Sequence, residues 1–309
     1  MQYVLVGNYG TGNLGDEALK EYFLKKYPHI SWKVISAKPS SAEFPRLPCG
    51  LRSVFSAWWR TVSVLKHSDG IVFGGGSLFT DTESVRACLI WWWHAFWARV
   101  FGRKIILAFQ GIGPFTTKMG EWCARYAVRR AAFISVRDAL SFERIKGWQK
   151  NTEVVQTCDP VISLIKAKIQ STDTKNVLAI IPRGNSTGTF TAKALEEVHS
   201  KNWNRIIIIS MQGSDRSENK YCLSLAKLSE GRIMKVKTMD ELVSAVGCAS
   251  KVISQRYHGA LTAKIMRKDL VAVSQSDSDK LETIGNIDLD KTGHLLLAGE
   301  AGLEKALSA

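Results

Sequence analysis

The sequence predicts an α/β fold with two successive domains, each built on a parallel sheet, and a cleft between them. Short runs rich in β-branched residues alternate with amphipathic stretches, which is the pattern of βα units on a parallel sheet. The alternation occurs twice, before and after a polar, turn-rich segment at residues 164–176. A chain of 309 residues is long enough for two domains of ordinary size. We therefore place one domain at residues 1–165 and a second, with a terminal helix, at 176–309.

The individual elements follow from the apolar runs, taken in chain order. In the first half, five runs predict buried strands, and the stretch DEALKEYFLKKY between the first two predicts a helix. In the second half, five more runs repeat the pattern, and TGHLLLAGEAGLEKALSA predicts the terminal helix. The predicted strands are YVLVG, WKVISA, GIVFGGG, KIILAFQGIGP and AFISVRD, followed by NVLAIIPR, RIIIISMQG, RIMKVK, KVISQRYHGA and DLVAVSQ.

The composition limits the classes of partner and the cellular compartment. A net charge of +14 and a pI near 9.5 indicate an anionic partner. The basic residues form no single long block and no nucleic-acid-binding signature is present, so we expect no nucleic acid partner. The opening MQYVLVGNYG has no basic segment before its apolar run, which favours a first strand over a secretion signal. The six cysteines are scattered without a CxxC pair, so we expect a cytoplasmic protein without a zinc site.

The first candidate site is the glycine-rich loop GNYGTGNLGDEALKEYF at residues 7–23. Its glycines allow positive φ and close approach of a ligand to the backbone, and Asp16 opens a helix whose dipole favours carboxylates. The loop is neither a GxGxxG motif nor a P-loop, so a flexible loop capped by Asp16 is an equally good interpretation. We take Gly12, Asn13 and Gly15 as candidate substrate contacts.

Two further segments follow buried strands of the first domain. GGGSLFTD, residues 74–81, places Gly75 and Gly76 after a strand, where a close approach to the backbone is the usual reason for glycine. SVRDALS, residues 135–141, contains Arg137 and Asp138. An ion pair between these two, with Asp138 capping the next helix, explains them without a ligand. Arg137 is nevertheless kept as a candidate substrate-binding residue.

The stretch QRYHGA, starting at Gln255, is unusual because an arginine and a histidine stand where a strand passes into a helix. A single histidine in an apolar context is more often a core residue than a catalyst. Arg256 two residues earlier and Gly259 directly after change that balance, since an arginine fork at a helix N-terminus can hold a phosphate. His258 would then move a proton beside a bound anion.

The tryptophans are concentrated in two segments of the first domain. SAWWRTVSVLK and LIWWWHAFWARVFGRK contain six of the ten tryptophans, together with several arginines and lysines. Tryptophan and arginine together suit a membrane interface, so peripheral contact with an anionic bilayer is one interpretation. The other is that the helix at residues 85–101 lies in the core with its tryptophans packed.

Taken together and in this order, the motifs resemble the polysaccharide pyruvyl transferase family. The resemblance runs from about residue 4 to residue 281. It is carried by GNYGTGNLGDEA, GGGSLFTD, QGIGP, SVRDALS, CDPVISL, MQGSD, TMDELVSAVGCASKVISQRYHGAL and SDSDK. The last motif reads like DPK in the family, so the proline is missing here.

The resemblance implies two Rossmann-like domains facing across a cleft, in a GT-B-like fold. It also implies transfer of a pyruvyl group from phosphoenolpyruvate to two hydroxyls of a sugar, with release of phosphate. The acceptor is typically a lipid-linked precursor of a cell-surface polysaccharide. His258 matches the family's general acid, Arg256 and Lys280 its donor-binding residues, and Asp16 the acidic residue of the N-terminal motif. No redox cofactor or metal is implied.

Two other functions remain open at this point. A GT-B glycosyltransferase would share the fold and a basic donor site but would use a nucleotide sugar. A non-catalytic family member would bind a polyanion or scaffold a complex of envelope synthesis. Arg256, His258 and Asp16 are all present, which favours an enzyme over a non-catalytic protein.

Overall fold

The computed structural model describes most of the chain as two compact α/β units. The first unit comprises Met1–Thr11, Leu19–Pro160 and Asp290–Ala309, and the second comprises Gly12–Ala18 and Val161–Leu289. Each unit contains one parallel sheet covered by helices, so the predicted α/β class is confirmed. The described residues are 1–50, 55, 57–82, 84–148, 152–169, 176–275 and 281–309.

The first unit contains a seven-stranded parallel sheet with the order β3-β2-β1-β4-β5-β6-β7. The strand order reverses between β1 and β4, which is the topological switch point of a doubly wound sheet. Its strands are β1 Gln2–Val6, β2 Ser31–Ser36, β3 Phe44–Pro45, β4 Gly70–Phe79, β5 Lys104–Ile112, β6 Phe133–Val136 and β7 Val154–Gln156. Its helices include α2 Trp59–His67, α3 Val85–Val100, α4 Lys118–Val128 and α5 Ala139–Ile145, while α1 Leu14–Lys26 begins in the second unit and ends in the first.

The second unit contains a five-stranded parallel sheet with the order β10-β9-β8-β11-β12. Here the order reverses between β8 and β11, so this sheet is also doubly wound. Its strands are β8 Val177–Ile181, β9 Arg205–Ser210, β10 Arg232–Lys235, β11 Lys251–Ser254 and β12 Asp269–Ala272. Its helices are α6 Val161–Lys166, α7 Gly188–His199, α8 Arg216–Ser229, α9 Met239–Gly247 and α10 Tyr257–Ile265, followed by a 3₁₀ turn at Glu282–Ile284.

All ten strands expected from the apolar runs are present, and the structure adds two short ones. The additional strands are β3, which has two residues, and β7, which has three. Both lie at the edges of the first sheet, where Pro45 can be accommodated because an edge strand leaves one side of its backbone unpaired. Neither run is long enough to show a period of two, which is why the sequence pattern does not reveal them.

The last helix, α11 Thr292–Ser308, belongs to the first unit, whereas the sequence division had placed it in the second. Glu300 accepts a 2.7 Å hydrogen bond from the Tyr22 hydroxyl and pairs with Lys26 at 2.7 Å. Glycine brings the helix close to the sheet, because a Cβ on Gly302 would lie 2.6 Å from the Phe133 ring. The division also differs at residues 12–18, which belong to the second unit.

Two general properties bear on function. All six cysteines are free thiols. Among the helices that the structure describes, none is both long and apolar enough to cross a bilayer.

Candidate functional site

The imidazole of His258 lies directly against the glycine-rich loop. His258 stands in the first turn of α10, immediately after β11. A Cβ placed on Gly15 would be 1.9 Å from His258 Nδ1, so only glycine leaves room for the ring. Both residues belong to the second unit, which makes this contact part of one compact body. The structure thus brings together two motifs that are far apart in the sequence.

The loop that carries Gly15 is anchored to the second unit by its backbone. The Leu14 amide donates to the Met211 carbonyl at 3.4 Å. Gly12 has a φ of +78°, and a Cβ there would lie 2.7 Å from the Ser214 hydroxyl. Asn13 caps α1, because its Oδ1 accepts from the Gly15 amide at 3.2 Å and its carbonyl from the Asp16 amide at 3.1 Å. Asn13 therefore takes the capping position that the sequence had suggested for Asp16.

Asp16 follows Gly15 in the first turn of α1, together with Glu17. This is where the helix dipole favours a carboxylate, as expected from the sequence. Asp16 is therefore the next residue along the chain from the glycine that faces His258. Lys280, the other candidate named from the family motif, lies outside the described residues.

Arg256 is held by a buried carboxylate that the sequence analysis did not identify. Its guanidinium forms an ion pair with Glu218 and donates to Gln212 Oε1 at 3.0 Å. Glu218 lies in the first turn of α8 and is fully buried. Its other oxygen accepts from Ser210 Oγ at 2.9 Å and from the Gln212 amide at 2.7 Å. One edge of the Arg256 fork is therefore fixed in position.

Part of the Arg256 guanidinium keeps its hydrogen-bonding capacity. Its Nε is buried and has no hydrogen-bond partner within the described part of the chain. The amide group of the neighbouring Gln255 is likewise buried, and the described residues offer neither of its polar atoms a partner. Buried polar groups normally bond to protein, water or ligand. These two consecutive side chains are therefore suited to a polar ligand, and only Arg256 was identified from the sequence.

Gly259 has a packing function in this structure. It is buried in α10, and a Cβ there would lie 2.8 Å from the Ser254 hydroxyl and 2.9 Å from Ile181. The glycine allows α10 to approach β8 and β11 closely. That approach sets the height of the first turn of α10, where His258 lies.

Arg137 is a buried cation at the carboxyl end of β6 in the first unit. It forms an ion pair with Asp159, and its Nη2 donates to Ser77 Oγ at 3.0 Å. The expected pair with Asp138 is therefore wrong, because Asp159 lies opposite the guanidinium. Asp138 instead caps α5 by accepting from the Ser141 amide at 2.7 Å, as predicted. In a buried ion pair, the free energy lost by removing both charges from water offsets much of their Coulombic attraction.

The glycines of β4 are explained by side chains of the protein itself. Gly75 and Gly76 have φ values of +78° and +83°, which favour glycine. A Cβ on Gly75 would lie 2.7 Å from Leu19, and one on Gly74 would lie 2.5 Å from the Tyr9 hydroxyl. These glycines lie within β4, and not after it as the sequence had indicated, because the strand continues to Phe79. The predicted close approach to the backbone is real, and Leu19 and Tyr9 make it. A substrate contact at Gly75 or Gly76 stays a prediction.

Helix α3 divides its aromatic residues between the core and the surface. Trp91, His94, Ala95 and Ala98 are buried, whereas Trp92, Trp93, Phe96 and Trp97 are half-buried on the other side. Trp122 of α4, which is 49% exposed, extends this second group, with its ring centroid 5.3 Å from that of Trp92. We call Trp92, Trp93, Phe96, Trp97 and Trp122 the aromatic surface. The packed-core interpretation is confirmed for the buried side of the helix, and contact of the aromatic surface with a bilayer stays a prediction.

Solved structures with a similar chain path identify the fold. The UDP-GlcNAc 2-epimerase from Neisseria meningitidis, bound to UDP-GlcNAc, matches with a TM-score of 0.59 at 12% identity, covering 100% of both chains. S. aureus MnaA with UDP matches with a TM-score of 0.60 at 12% identity, covering 97% of this chain and 87% of that one. Anabaena HepE with UDP and glucose gives 0.58 at 12% identity, with coverages of 97% and 94%.

These likenesses define the class of fold, two Rossmann-like domains of the GT-B type, as the sequence predicts. No curated protein sequence is significantly similar to the chain. The model of the polysaccharide pyruvyl transferase family, however, matches residues 13–277. The chain belongs to that family.

Proposed function

We propose that the protein transfers the pyruvyl group of phosphoenolpyruvate to two hydroxyls of a sugar in a cell-surface polysaccharide precursor. Membership of the family supports a pyruvyl transferase. The observation that carries the proposal is the arrangement of His258, Gly15 and Arg256 within one unit. His258, the proposed proton donor, lies two residues after Arg256 at a strand-to-helix junction, and only part of the Arg256 guanidinium is paired within the described residues.

The donor is held chiefly by Arg256. One edge of its guanidinium is fixed by Glu218, and we assign its Nε, which the described residues leave without a partner, to an oxygen of the phosphate or carboxylate. The N-terminus of α10 adds a partial positive charge at the same place. Lys280 is the further cation that the family motif assigns to the donor. Fixed positive groups of this kind stabilise charge that develops as phosphate leaves.

The proposed reaction balances without a redox cofactor or a metal. His258 gives a proton to C3 of the enol phosphate, which becomes a methyl group, and C2 becomes oxocarbenium-like. A sugar hydroxyl attacks C2, the C2–O bond to phosphate breaks, and the second hydroxyl closes the cyclic ketal. Of the two hydroxyl protons, one restores His258 and the other leaves with the phosphate. Asp16, beside Gly15, is the residue to which we assign the acceptor sugar.

The proposed acceptor is lipid-linked, and the enzyme works at the inner face of the cell membrane. The aromatic surface and the net charge of +14 support this placement. Arg99, Arg129 and Arg130 are exposed on the same helices or directly after them. Basic side chains next to half-buried tryptophans suit an anionic bilayer surface.

The test is an assay of the purified chain with phosphoenolpyruvate and a panel of lipid-linked and nucleotide-linked sugars. Phosphate release and the mass gain of a pyruvyl ketal are measured together. Nucleotide sugars are included because the N. meningitidis and Anabaena proteins of this fold were solved with UDP-containing ligands. We expect acceptor-dependent phosphate release with the ketal mass on the acceptor.

His258→Gln is compared with His294→Gln, which changes an exposed histidine on α11. Loss of general acid catalysis should lower kcat about 10²- to 10⁴-fold in the first variant only. No release with any acceptor, together with thermal stabilisation by a nucleotide sugar alone, would indicate a glycosyltransferase. A purified chain that binds neither class of donor would support the non-catalytic interpretation.

A further inference from the structure

A cavity in the second unit is lined in part by the glycine-rich loop that also carries Gly15. Its volume is about 500 Å³, within the usual range for ligand sites. Arg256 and His258 do not line it. The residues that matter here are Gly12, Leu14, Glu17, Ser214, Lys235 and Lys237, all of the second unit.

The cavity lies at the edge of the sheet where ligands of parallel α/β folds bind. Ser214 belongs to the loop that follows β9, and Lys235 ends β10, with Lys237 just beyond it. These loops leave the carboxyl ends of two neighbouring strands. The N-terminus of the long helix α1 borders the same space, because Gly12 and Leu14 line it.

The charge of the cavity favours an anion. Lys235 and Lys237 outnumber the one carboxylate in its wall, that of Glu17. Neither lysine has an ion-pair partner among the residues that the structure describes, and both are exposed. Ser214 adds a hydroxyl, and Gly12 lies so close to it that a Cβ would be 2.7 Å from that oxygen. Two cations and a hydroxyl around an open space match a group with several phosphate oxygens.

The cavity is also next to the reacting centre. Leu14 lines it, and Gly15, the next residue, lies under the His258 ring. A ligand held here would therefore contact the residue that precedes the glycine facing His258. Since Arg256 already serves the donor's phosphate in the proposed function, a second anion site at this place belongs to the other substrate.

We infer that this cavity binds the diphosphate linkage of the acceptor, with Lys235 and Lys237 as its cationic ligands. A sugar alone carries no charge, and the strongly anionic part of a carrier-linked sugar is its phosphate ester. That the bound diphosphate belongs to the acceptor rests on the proposed function. The binding of a diphosphate at this cavity does not.

A neighbouring apolar cavity can receive the group that the diphosphate carries. Its volume is about 380 Å³, and its wall includes Ile207, Met234 and Ala245. Lys235 and Val236 line both cavities. A diphosphate at Lys235 would therefore present its second substituent to apolar surface, which suits either the base of a nucleotide or the first units of a polyprenyl chain.

The experiment measures binding of inorganic pyrophosphate, UDP and geranyl diphosphate to the full chain by calorimetry. Lys235→Ala/Lys237→Ala is compared with Lys220→Ala/Lys227→Ala, which removes the same charge from the exposed side of α8. We expect pyrophosphate binding at least tenfold weaker in the first double variant and within twofold of the unmodified chain in the second. Lys235→Arg/Lys237→Arg should retain binding, and phosphoenolpyruvate binding should be unchanged throughout.

Pyrophosphate binding that survives Lys235→Ala/Lys237→Ala, or that falls equally in both alanine variants, would overturn the inference. So would an unmodified chain that does not bind pyrophosphate. Tighter binding of UDP than of geranyl diphosphate would identify a nucleotide-linked acceptor, and the reverse a polyprenyl-linked one. Lysine-dependent pyrophosphate binding in a chain that never releases phosphate from phosphoenolpyruvate would refute the proposed function and leave this site standing.

Discussion

At the scale of single residues, Glu218 fixes the position of the Arg256 guanidinium. One carboxylate oxygen pairs with Arg256, while the other accepts from Ser210 and the Gln212 amide. Removing one partner of a buried ion pair costs about 3–5 kcal/mol, because a charge is left uncompensated. An amide at position 218 could not accept at both of its ends. Glu218 is thus a positioning residue, one removed from the proposed substrate.

Glu218→Gln should therefore raise the KM for phosphoenolpyruvate tenfold or more and lower the Tm, with a smaller effect on kcat. Thermal stabilisation by phosphoenolpyruvate should shrink in parallel, because Arg256 is no longer held for the ligand. Steady-state kinetics and melting curves with and without donor measure both effects. Glu196→Gln, on the exposed side of α7, is the matched control. An unchanged KM in Glu218→Gln would refute the positioning role.

Gly15→Ala tests the contact between the loop and the histidine. The added Cβ would lie 1.9 Å from His258 Nδ1, so the ring must move. We expect kcat to fall at least tenfold, since proton transfer depends on the placement of the donor. Gly188→Ala, at the start of α7 with no atom within 4 Å of the added Cβ, should behave like the unmodified protein. Equal kcat values for the two variants would show that catalysis does not require this position of the His258 ring.

At the scale of elements, a buried neutral histidine ties α3 to the segment that follows β3. His94 Nε2 accepts from the Leu47 amide at 3.1 Å, and Nδ1 lies 2.7 Å from the Ile90 carbonyl. These partners assign the proton to Nδ1. Burial lowers the pKa of His94 to about 4, against an ordinary value of 6.5. The unfolded chain therefore binds more protons than the native one between these two pH values.

Stability should consequently fall as the pH drops from 6.5 towards 4. His94 alone contributes a loss of about 2 kcal/mol between pH 7 and pH 5, from the linkage of its pKa to folding. Urea unfolding at the two pH values measures this, and His94→Gln should show a shallower pH dependence. His67→Gln, an exposed histidine of α2, should keep the original dependence. A slope that His94→Gln leaves unchanged would contradict the assignment.

At the scale of the whole molecule, the net charge of +14 and the aromatic surface both suit the anionic membrane that we propose as a partner. We expect the protein to sediment with vesicles that contain anionic lipid and much less with zwitterionic ones. Added salt should weaken the binding, because it screens the attraction between exposed charges. Trp92→Ala/Trp122→Ala should reduce it further, whereas Trp203→Ala, in the second unit, should not. If vesicle binding depended neither on lipid charge nor on Trp92 and Trp122, the aromatic surface would not be the membrane-binding surface.

Much of the candidate site follows from the sequence. Arg256, His258 and Asp16 were found because they stand where strands and loops pass into helices, and such boundaries follow from local patterns. Glu218 was not predicted, because in the sequence it resembles an ordinary carboxylate in the first turn of a helix. Only its burial against Arg256, 38 residues away, distinguishes it. Gln255 was not predicted for a similar reason, since a buried amide without a partner is a property of packing.

The sequence by itself determined the ten main strands, the parallel α/β class and the family, because alternating apolar runs and ordered motifs are local and survive in any packing. Tertiary structure decided what each motif touches. It placed Gly15 under His258, moved α11 onto the first sheet, and gave Arg137 to Asp159. These contacts join residues distant in the chain, and their free energy depends on burial and close packing that no local pattern encodes.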